Sequence, residues 1–178
     1  MHLKLDQSGT IDDGEVARDL GQDTADIVFL SAADNELAAL AAARSALGSG
    51  FPSVQFTNLL ALRHPLSVDL YVERTLHSAK LVVLRMLGGE SYWPYGVESL
   101  RADALKRGAL FACLPGELSF DPALSARGTV DEAQSRELWR YFCEGGTDNL
   151  VSALQYAAHL IGRGERPARV DAGLQVFC

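Results

Sequence analysis

The run KLVVLRML at residues 80–87 restricts the fold more than any other stretch of this sequence. Apart from Arg85 and the lysine at its start, its residues are apolar at both odd and even positions, so neither face of a strand formed here suits water. Strands of parallel sheets have this pattern because helices cover both of their faces, whereas a sheet with one wet face alternates apolar and polar residues. The run therefore predicts a buried strand of a parallel sheet.

The rest of the chain alternates between strand-like and helix-like segments, in the order that is typical of βαβ units. Helix-like segments have apolar residues at three- and four-residue spacing, and the last two follow one another near the C-terminus. We predict an α/β fold: a doubly wound, mostly parallel sheet of four to five strands flanked by helices, with a helical C-terminal end. The predicted strands lie near residues 26–31, 54–60, 80–87 and 109–114, with MHLKLD as a possible fifth.

Three polar residues stand where helices are expected to begin. Asp34 and Ser67 precede helix-like segments and are predicted N-caps, and Thr129 opens a TVDE sequence with the spacing of a capping box. Neither an internal repeat nor a convincing linker divides the chain until near its end. We therefore expect one α/β domain over residues 1–164 and an irregular tail over residues 165–178.

Composition and charge argue against several classes of partner. The 178-residue chain has a formal net charge of −7 with scattered lysines and arginines, so no basic patch stands out for nucleic acid or an anionic membrane. The longest nearly apolar stretch, LAALAAARSAL, is too short to span a bilayer, and the N-terminus turns acidic too early for a signal or transit peptide. We expect a cytoplasmic protein that binds neither nucleic acid nor membranes.

Three loops that follow predicted strands carry the polar residues from which a binding site could be built. In open α/β sheets, ligands bind in the crevice beyond the carboxyl ends of the strands. The loops SAADNE, RHPLS and GGESYWPYG would border one crevice if they were adjacent, and would offer Asp34, His64, Glu90 and Ser91. The alternative is that Asp34 and Ser67 only cap helices and that His64 precedes a proline turn, which such loops need in any case.

The loop GGESYWPYG also places three aromatic residues around a proline. Two glycines directly after a buried strand permit a turn that side chains would block, and Pro94 suits the first turn of a helix because it lacks the N–H that a helix start leaves unpaired. We predict that Trp93 folds onto the core and is mostly buried, while Glu90 and Ser91 face the crevice.

Recognisable catalytic motifs are missing from the sequence. It contains neither GxGxxG nor GxxxxGK[ST] nor GxSxG, its four histidines are far apart, and its three cysteines lack metal-binding spacing. We therefore assign no catalytic, cofactor-binding or metal-binding residue.

Three separated stretches resemble one protein family. HPLSVDLY (64–71), GGESYWPYG (88–96) and EGGTDN (144–149) are similar, in this order, to the N-terminal region of CobN, the large subunit of aerobic cobaltochelatase. The similarity covers roughly residues 1–164. The large subunit of magnesium chelatase is a close relative of this family, and a fragment of that subunit is an alternative.

The resemblance implies a part in vitamin B12 synthesis. In the CobN family the large subunit binds hydrogenobyrinic acid a,c-diamide and inserts Co²⁺, while ATP and magnesium are held by a partner complex of ATPase subunits. Members are many times longer than this chain, so the resemblance implies an amino-terminal fragment without catalysis or a cofactor of its own. Its implied partners are the rest of the large subunit, the ATPase subunits and the corrin substrate.

Two further interpretations stay open at this point. One is a small stand-alone protein that binds tetrapyrroles or acts as a scaffold for chelatase components. The other is an unrelated binding domain of the flavodoxin-like sort. No residue role is carried over from the family, because its metal-insertion residues are expected in the much larger remainder of the subunit.

Overall fold

Four parallel strands form the centre of the structure, a computed structural model that describes residues 16–168. The strands lie in the order β2-β1-β3-β4, which confirms the predicted fold class. The possible fifth strand MHLKLD and the tail beyond residue 168 lie outside the described residues. The strands are β1 (Ile27–Ser31), β2 (Val54–Asn58), β3 (Leu81–Met86) and β4 (Leu110–Pro115).

Six helices cover both faces of this sheet. They are α1 (Asp34–Ser45), α2 (Pro65–Arg74), α3 (Pro94–Arg107), α4 (Pro122–Ser125), α5 (Glu132–Glu144) and α6 (Gly146–Leu160). Residues of α2, α3 and α4 share one hydrophobic core with one face of the strands, and residues of α1, α5 and α6 share a second core with the other face. None of the helices in residues 16–168 is long and apolar enough to cross a membrane.

The two inner strands are buried along their whole length. Every residue of β1 and β3 is buried, while β2 at the sheet edge is mostly half-buried. Along β3, Leu81 and Val83 contact the α1, α5 and α6 side, and Val82 and Leu84 contact the α2 and α3 side. The apolar run of β3 therefore reflects two separate cores, as its pattern predicted.

The first two predicted helix caps are wrong, although the helices are present. The N-cap of α1 is Ala33, and Asp34 is the first residue of the helix. The N-cap of α2 is His64, whose ring Nδ1 accepts a hydrogen bond from the backbone N–H of Leu66 at 3.1 Å. Because Pro65 starts α2 directly after His64, Ser67 falls inside the first turn and is buried.

The third predicted cap, Thr129, is also wrong. The side chain of Asp131 caps α5 by accepting from the N–H of Gln134 at 2.8 Å. Thr129 lies instead beside β4, where its hydroxyl oxygen accepts from the N–H of Phe111 at 2.8 Å. The capping-box spacing was therefore misleading, because an acid nearer the helix supplied the same acceptor.

Trp93 is buried at the start of α3, as the sequence predicted. Its residue surface is 7% exposed, and its indole Nε1 donates to the carbonyl of Leu62 at 3.2 Å. Gly96 lies directly against the indole, so that a Cβ at this position would fall 2.1 Å from the Cε2 atom of Trp93. The helix starts at Pro94, also as predicted.

Asp26 ties together the amino ends of three strands. Its carboxylate accepts from the N–H and the hydroxyl of Ser53 at 3.3 and 3.1 Å, and lies 3.0 Å from the Nζ atom of Lys80. The hydrogen bond from Lys80, helped by those from Ser53, holds the pKa of Asp26 below its ordinary value even though burial opposes the shift. The charged form of Asp26 is therefore favoured in the folded state.

We expect Asp26→Asn to destabilise the protein at neutral pH and to lose this effect in acid. When folding lowers the pKa of a carboxyl group, the group stabilises the folded state fully at pH values above its unfolded pKa of about 3.9. This contribution disappears as the pH falls through the folded pKa. The difference in free energy of unfolding between wild type and variant should therefore shrink below about pH 4. Urea unfolding at several pH values measures it. Asp23→Asn, at an exposed acid that makes no hydrogen bond or ion pair within residues 16–168, is the control, and an equal pH profile for both variants would contradict the prediction.

Candidate functional site

The strand order defines a point where the chain reverses its direction across the sheet. From β1 the chain moves outward to β2, and from β2 it returns past β1 to β3 on the other side. Crevices at the carboxyl ends of strands at such a switch point are the usual ligand sites of open α/β sheets. A cavity of about 160 Å³ lies at this point. This switch-point cavity is lined by Ser31, Ala32, Ala33, Asn35, Glu36, Arg85, Leu87 and Gly116.

Arg85 of β3 is the charged side chain that lies deepest in the wall of this cavity. It is 7% exposed, and it forms a bidentate contact with Glu36 of α1, with 3.1 Å between Nε and Oε1 and 3.1 Å between Nη2 and Oε2. The central carbon of its guanidinium lies 4.5 Å from the ring centroid of Phe142. A buried ion loses several kcal/mol of hydration, so this pairing is what makes a charged residue tolerable in the central strand.

The remaining guanidinium nitrogen of Arg85 has no well-formed hydrogen bond. Nη1 is buried without an acceptor within the described residues. The thiol of Cys143 lies near the guanidinium; burial raises the pKa of Cys143, and the charge of Arg85 opposes this rise without cancelling it. The Cys143 Sγ points to the carbonyl of Glu117 at 3.8 Å. A protonated thiol is a weak acceptor, so Glu36 supplies nearly all of the neutralisation of Arg85.

The structure places Asp34 and His64 at the carboxyl edge of the sheet, as predicted, with separate local contacts. Asp34 follows β1, and its Oδ1 accepts from the side-chain amide of Asn58 at the end of β2, at 2.6 Å. His64 follows β2 and is engaged as the N-cap of α2. Each side chain is therefore held by its own neighbours.

Glu90 and Ser91 follow β3 at the same edge but point elsewhere. The carboxylate of Glu90 lies 3.0 Å from Nε of Arg127, in the loop beside β4, and the hydroxyl of Ser91 donates to the carbonyl of Gly88 at 3.5 Å. Across residues 16–168, no hydrogen bond or ion pair joins any two of the four predicted crevice residues. A shared ligand role for them stays a prediction, and the cavity itself is formed by other side chains.

Arg85 and Glu36 were not among the predicted site residues, although the sequence contains one signal for them. A lone arginine in a strand that is otherwise apolar on both faces must be paired, and the acid has to come from a covering helix. Glu36, in the first turn of α1, is such an acid. Which acid Arg85 selects depends on how α1 packs over the sheet, and the sequence pattern does not contain that information.

The size and donors of the site limit what it can hold. At about 160 Å³ the switch-point cavity is smaller than the 300–1,000 Å³ that is usual for small-molecule sites, so it fits a small polar group or waters and cannot enclose a tetrapyrrole. In the part of the chain that the structure describes, no three His, Cys, Asp or Glu side chains form a group that could hold a metal ion. The cavity thus offers a small ligand hydrogen bonds from the Arg85–Glu36 ion pair, whose charges neutralise one another.

Sequence comparison finds two relatives with the same description. The aerobic cobaltochelatase subunit CobN of Sinorhizobium sp is 50% identical over 167 residues, which are 94% of this chain and 13% of that protein. The aerobic cobaltochelatase subunit CobN of Pseudomonas aeruginosa is 41% identical over 149 residues, which are 84% of this chain and 12% of that protein. No protein-family model matches the chain. The chain thus spans only a small part of the length of the relatives that it matches.

Structure comparison finds the catalytic subunit of cobaltochelatase from Mycobacterium tuberculosis. The similarity has a TM-score of 0.61 at 23% sequence identity, and it covers 82% of this chain and 11% of that one. At this identity the comparison shows a shared fold alone. The sequence comparisons carry the relationship further: this chain is a relative of one segment of the aerobic cobaltochelatase subunit CobN, which confirms the resemblance predicted from its motifs.

Proposed function

We propose that this chain is the amino-terminal domain of a cobaltochelatase large subunit, and that it supports metal insertion without carrying out the chemistry. The observation that carries the proposal is the 50% identity to the Sinorhizobium CobN subunit over 94% of the chain. The matched part is 13% of that subunit, so the residues that insert the metal are expected in the remainder. In this proposal the parent subunit is an ATP-dependent ligase of aerobic vitamin B12 synthesis.

The proposal assigns substrates and partners to the complex as a whole. Cobalt is a substrate, hydrogenobyrinic acid a,c-diamide is the corrin that receives it, and ATP with magnesium belongs to the ATPase partner subunits. The lack of a phosphate loop in this sequence supports that division. The size of the switch-point cavity supports a corrin site outside it. We place the complex in the cytoplasm.

A chimeric subunit tests this proposal. In the Sinorhizobium relative, the matched segment is replaced by this chain, and cobalt insertion into hydrogenobyrinic acid a,c-diamide is measured spectroscopically with the ATPase partners. We expect the chimera to insert cobalt within about tenfold of the unmodified subunit, since tenfold corresponds to only about 1.4 kcal/mol of activation free energy. The matched control is the same relative with the segment deleted, which should be inactive.

The chain by itself completes the test. With the ATPase partners, cobalt and the corrin, it should show no insertion above background. Insertion by the isolated chain would overturn the non-catalytic role. A chimera that is folded and assembled but inactive would overturn the assignment to a cobaltochelatase subunit.

A further inference from the structure

Exposed apolar side chains are concentrated at one end of the domain, beyond the carboxyl ends of the strands. Among the residues that the structure describes, seven large apolar or aromatic side chains are exposed, and five of them follow β2, β3 or β4 at this end. We call these five the carboxyl-edge patch: Leu66, Leu87, Tyr92, Tyr95 and Leu118. Single exposed apolar residues are ordinary, but a concentration on one face marks an interaction site.

The loops after β3 and β4 contact one another at the centre of the patch. Leu87 lies against the glycine that follows β4, where an added Cβ would be 3.0 Å from the leucine side chain. Tyr92 folds back toward Gly88, whose N–H donates to the Glu117 carboxylate at 2.7 Å. This hydrogen bond joins the loop after β4, which carries Leu118, to the loop after β3, which carries Leu87 and Tyr92.

A second set of contacts extends the patch to α2. The hydroxyl of Tyr95 donates to Oδ1 of Asp69 at 2.7 Å, which fixes the start of α3 against α2. Leu66 lies three residues before Asp69 in α2 and therefore on the same side of that helix. Tyr95 follows Tyr92 by three residues. The five side chains thus lie at one end of the domain, on segments that these hydrogen bonds join from α2, across the start of α3, to the loop after β4.

The border of this surface is acidic. Carboxylates outnumber guanidinium groups around it: Asp34, Asp69, Glu90, Glu98 and Glu117 against Arg18, Arg63 and Arg127. The whole chain has a net charge of −7. Two copies placed face to face would therefore repel one another, whereas an apolar surface bordered by lysine and arginine would be complementary.

We propose that the carboxyl-edge patch is the surface by which this domain docks on the rest of the large subunit, against an apolar surface with a basic border. The proposal rests on the proposed function. The chain spans 13% of its Sinorhizobium relative, so in such a protein the domain has a large body beside it. Two tyrosine rings and three leucines with a polar border are the composition of a protein interface, in which aromatic anchors supply most of the binding energy.

Hydroxyl-radical footprinting of the isolated 178-residue chain and of the chimeric subunit tests the docking surface. Labelling of the five patch side chains should fall about fivefold or more in the chimera, because the core of an interface excludes water. Leu105 of α3 is the control, since it is 60% exposed and lies outside the patch. Its labelling should be the same in both proteins.

Charge variants in the chimera provide the second readout. Leu87→Asp with Tyr92→Asp should return the labelling of Tyr95 and Leu118 to the level of the isolated chain, whereas Leu105→Asp should leave them protected. All three positions are about half exposed or more, so these variants should fold. Equal labelling of the patch in chimera and isolated chain would overturn the proposal. A patch already protected in the isolated chain, together with a dimer in sedimentation, would make a second copy the occupant and would also overturn it.

The two proposals fail separately. A chimera that inserts cobalt but leaves the patch labelled overturns the docking surface alone. A chimera with a protected patch and no cobalt insertion supports the docking surface and overturns the proposed function.

Discussion

Replacing Glu36 with alanine is expected to lower the free energy of unfolding by about 3–5 kcal/mol, the range for removing one partner of a buried ion pair. Arg85 would keep its charge in the central strand, where it is 7% exposed. Its other neighbours are the carbonyl of Gly116, which accepts a 3.5 Å hydrogen bond, the ring of Phe142 and the thiol of Cys143, and none of them neutralises a full charge. Urea unfolding followed by circular dichroism measures the loss.

Two variants control this experiment. Glu132→Ala removes the acid of an exposed pair with Arg136 and should cost less than about 1 kcal/mol. The double variant Glu36→Leu with Arg85→Met should recover most of the stability, because apolar residues of similar volume often replace a buried ion pair at little cost. A cost for Glu36→Ala no larger than that for Glu132→Ala would contradict the prediction.

The double variant also separates two reasons for the presence of the pair. If it is as stable as the wild type, stability does not require a charged residue in β3. The pair would then matter for the wall of the switch-point cavity, where Glu36 and Arg85 are the charged groups among its lining residues. The double variant would lose the two charged groups of the cavity wall while it keeps the fold. It is therefore also the appropriate negative control when the binding of a small polar ligand to the cavity is tested.

The sheet was predictable because its inner strands are enclosed by two cores. A strand that is buried on both faces has a continuous apolar sequence, whereas a strand with one exposed face alternates apolar and polar residues. The positions of β1 and β3 were therefore predicted to within one residue. The end of β2 was less clear: the chain leaves the strand at Asn58, whose side chain accepts from the N–H of Leu60 and caps a short 3₁₀ helix. The buried leucines of that helix resemble a longer strand in the sequence.

The edge of the sheet at which the predicted polar residues lie followed from the sequence, whereas their contacts did not. Polar residues after parallel strands meet at one edge whatever the details, so Asp34, His64 and Glu90 were correctly placed at the carboxyl edge. Their partners come from distant parts of the chain: Asn58 for Asp34 and Arg127 for Glu90. Such pairings depend on how helices and loops pack over the sheet, which periodicity and motif spacing do not record.

The aromatic residues of the loop after β3 divide into two groups with different roles. Trp93 is 7% exposed and belongs to the core shared with α2 and α3. Tyr92 and Tyr95 are about half exposed and lie in the carboxyl-edge patch. Three aromatics around one proline therefore serve both packing and the surface, and substitutions should distinguish them.

Trp93→Ala is expected to cost roughly 3–5 kcal/mol of folding free energy, the range for truncating a large buried aromatic. The variant leaves a cavity beneath α3, where Gly96 has no side chain to fill it, and it leaves the carbonyl of Leu62 without its indole donor. Thermal and urea unfolding measure the cost. Tyr92→Ala, one residue earlier and half exposed, is the matched control and should change stability by less than about 0.5 kcal/mol, as surface substitutions usually do. Similar costs for both variants, or strong quenching by iodide of Trp93 fluorescence in a folded Trp139→Phe variant, which removes the second tryptophan, would show that the indole does not hold α3 on the core.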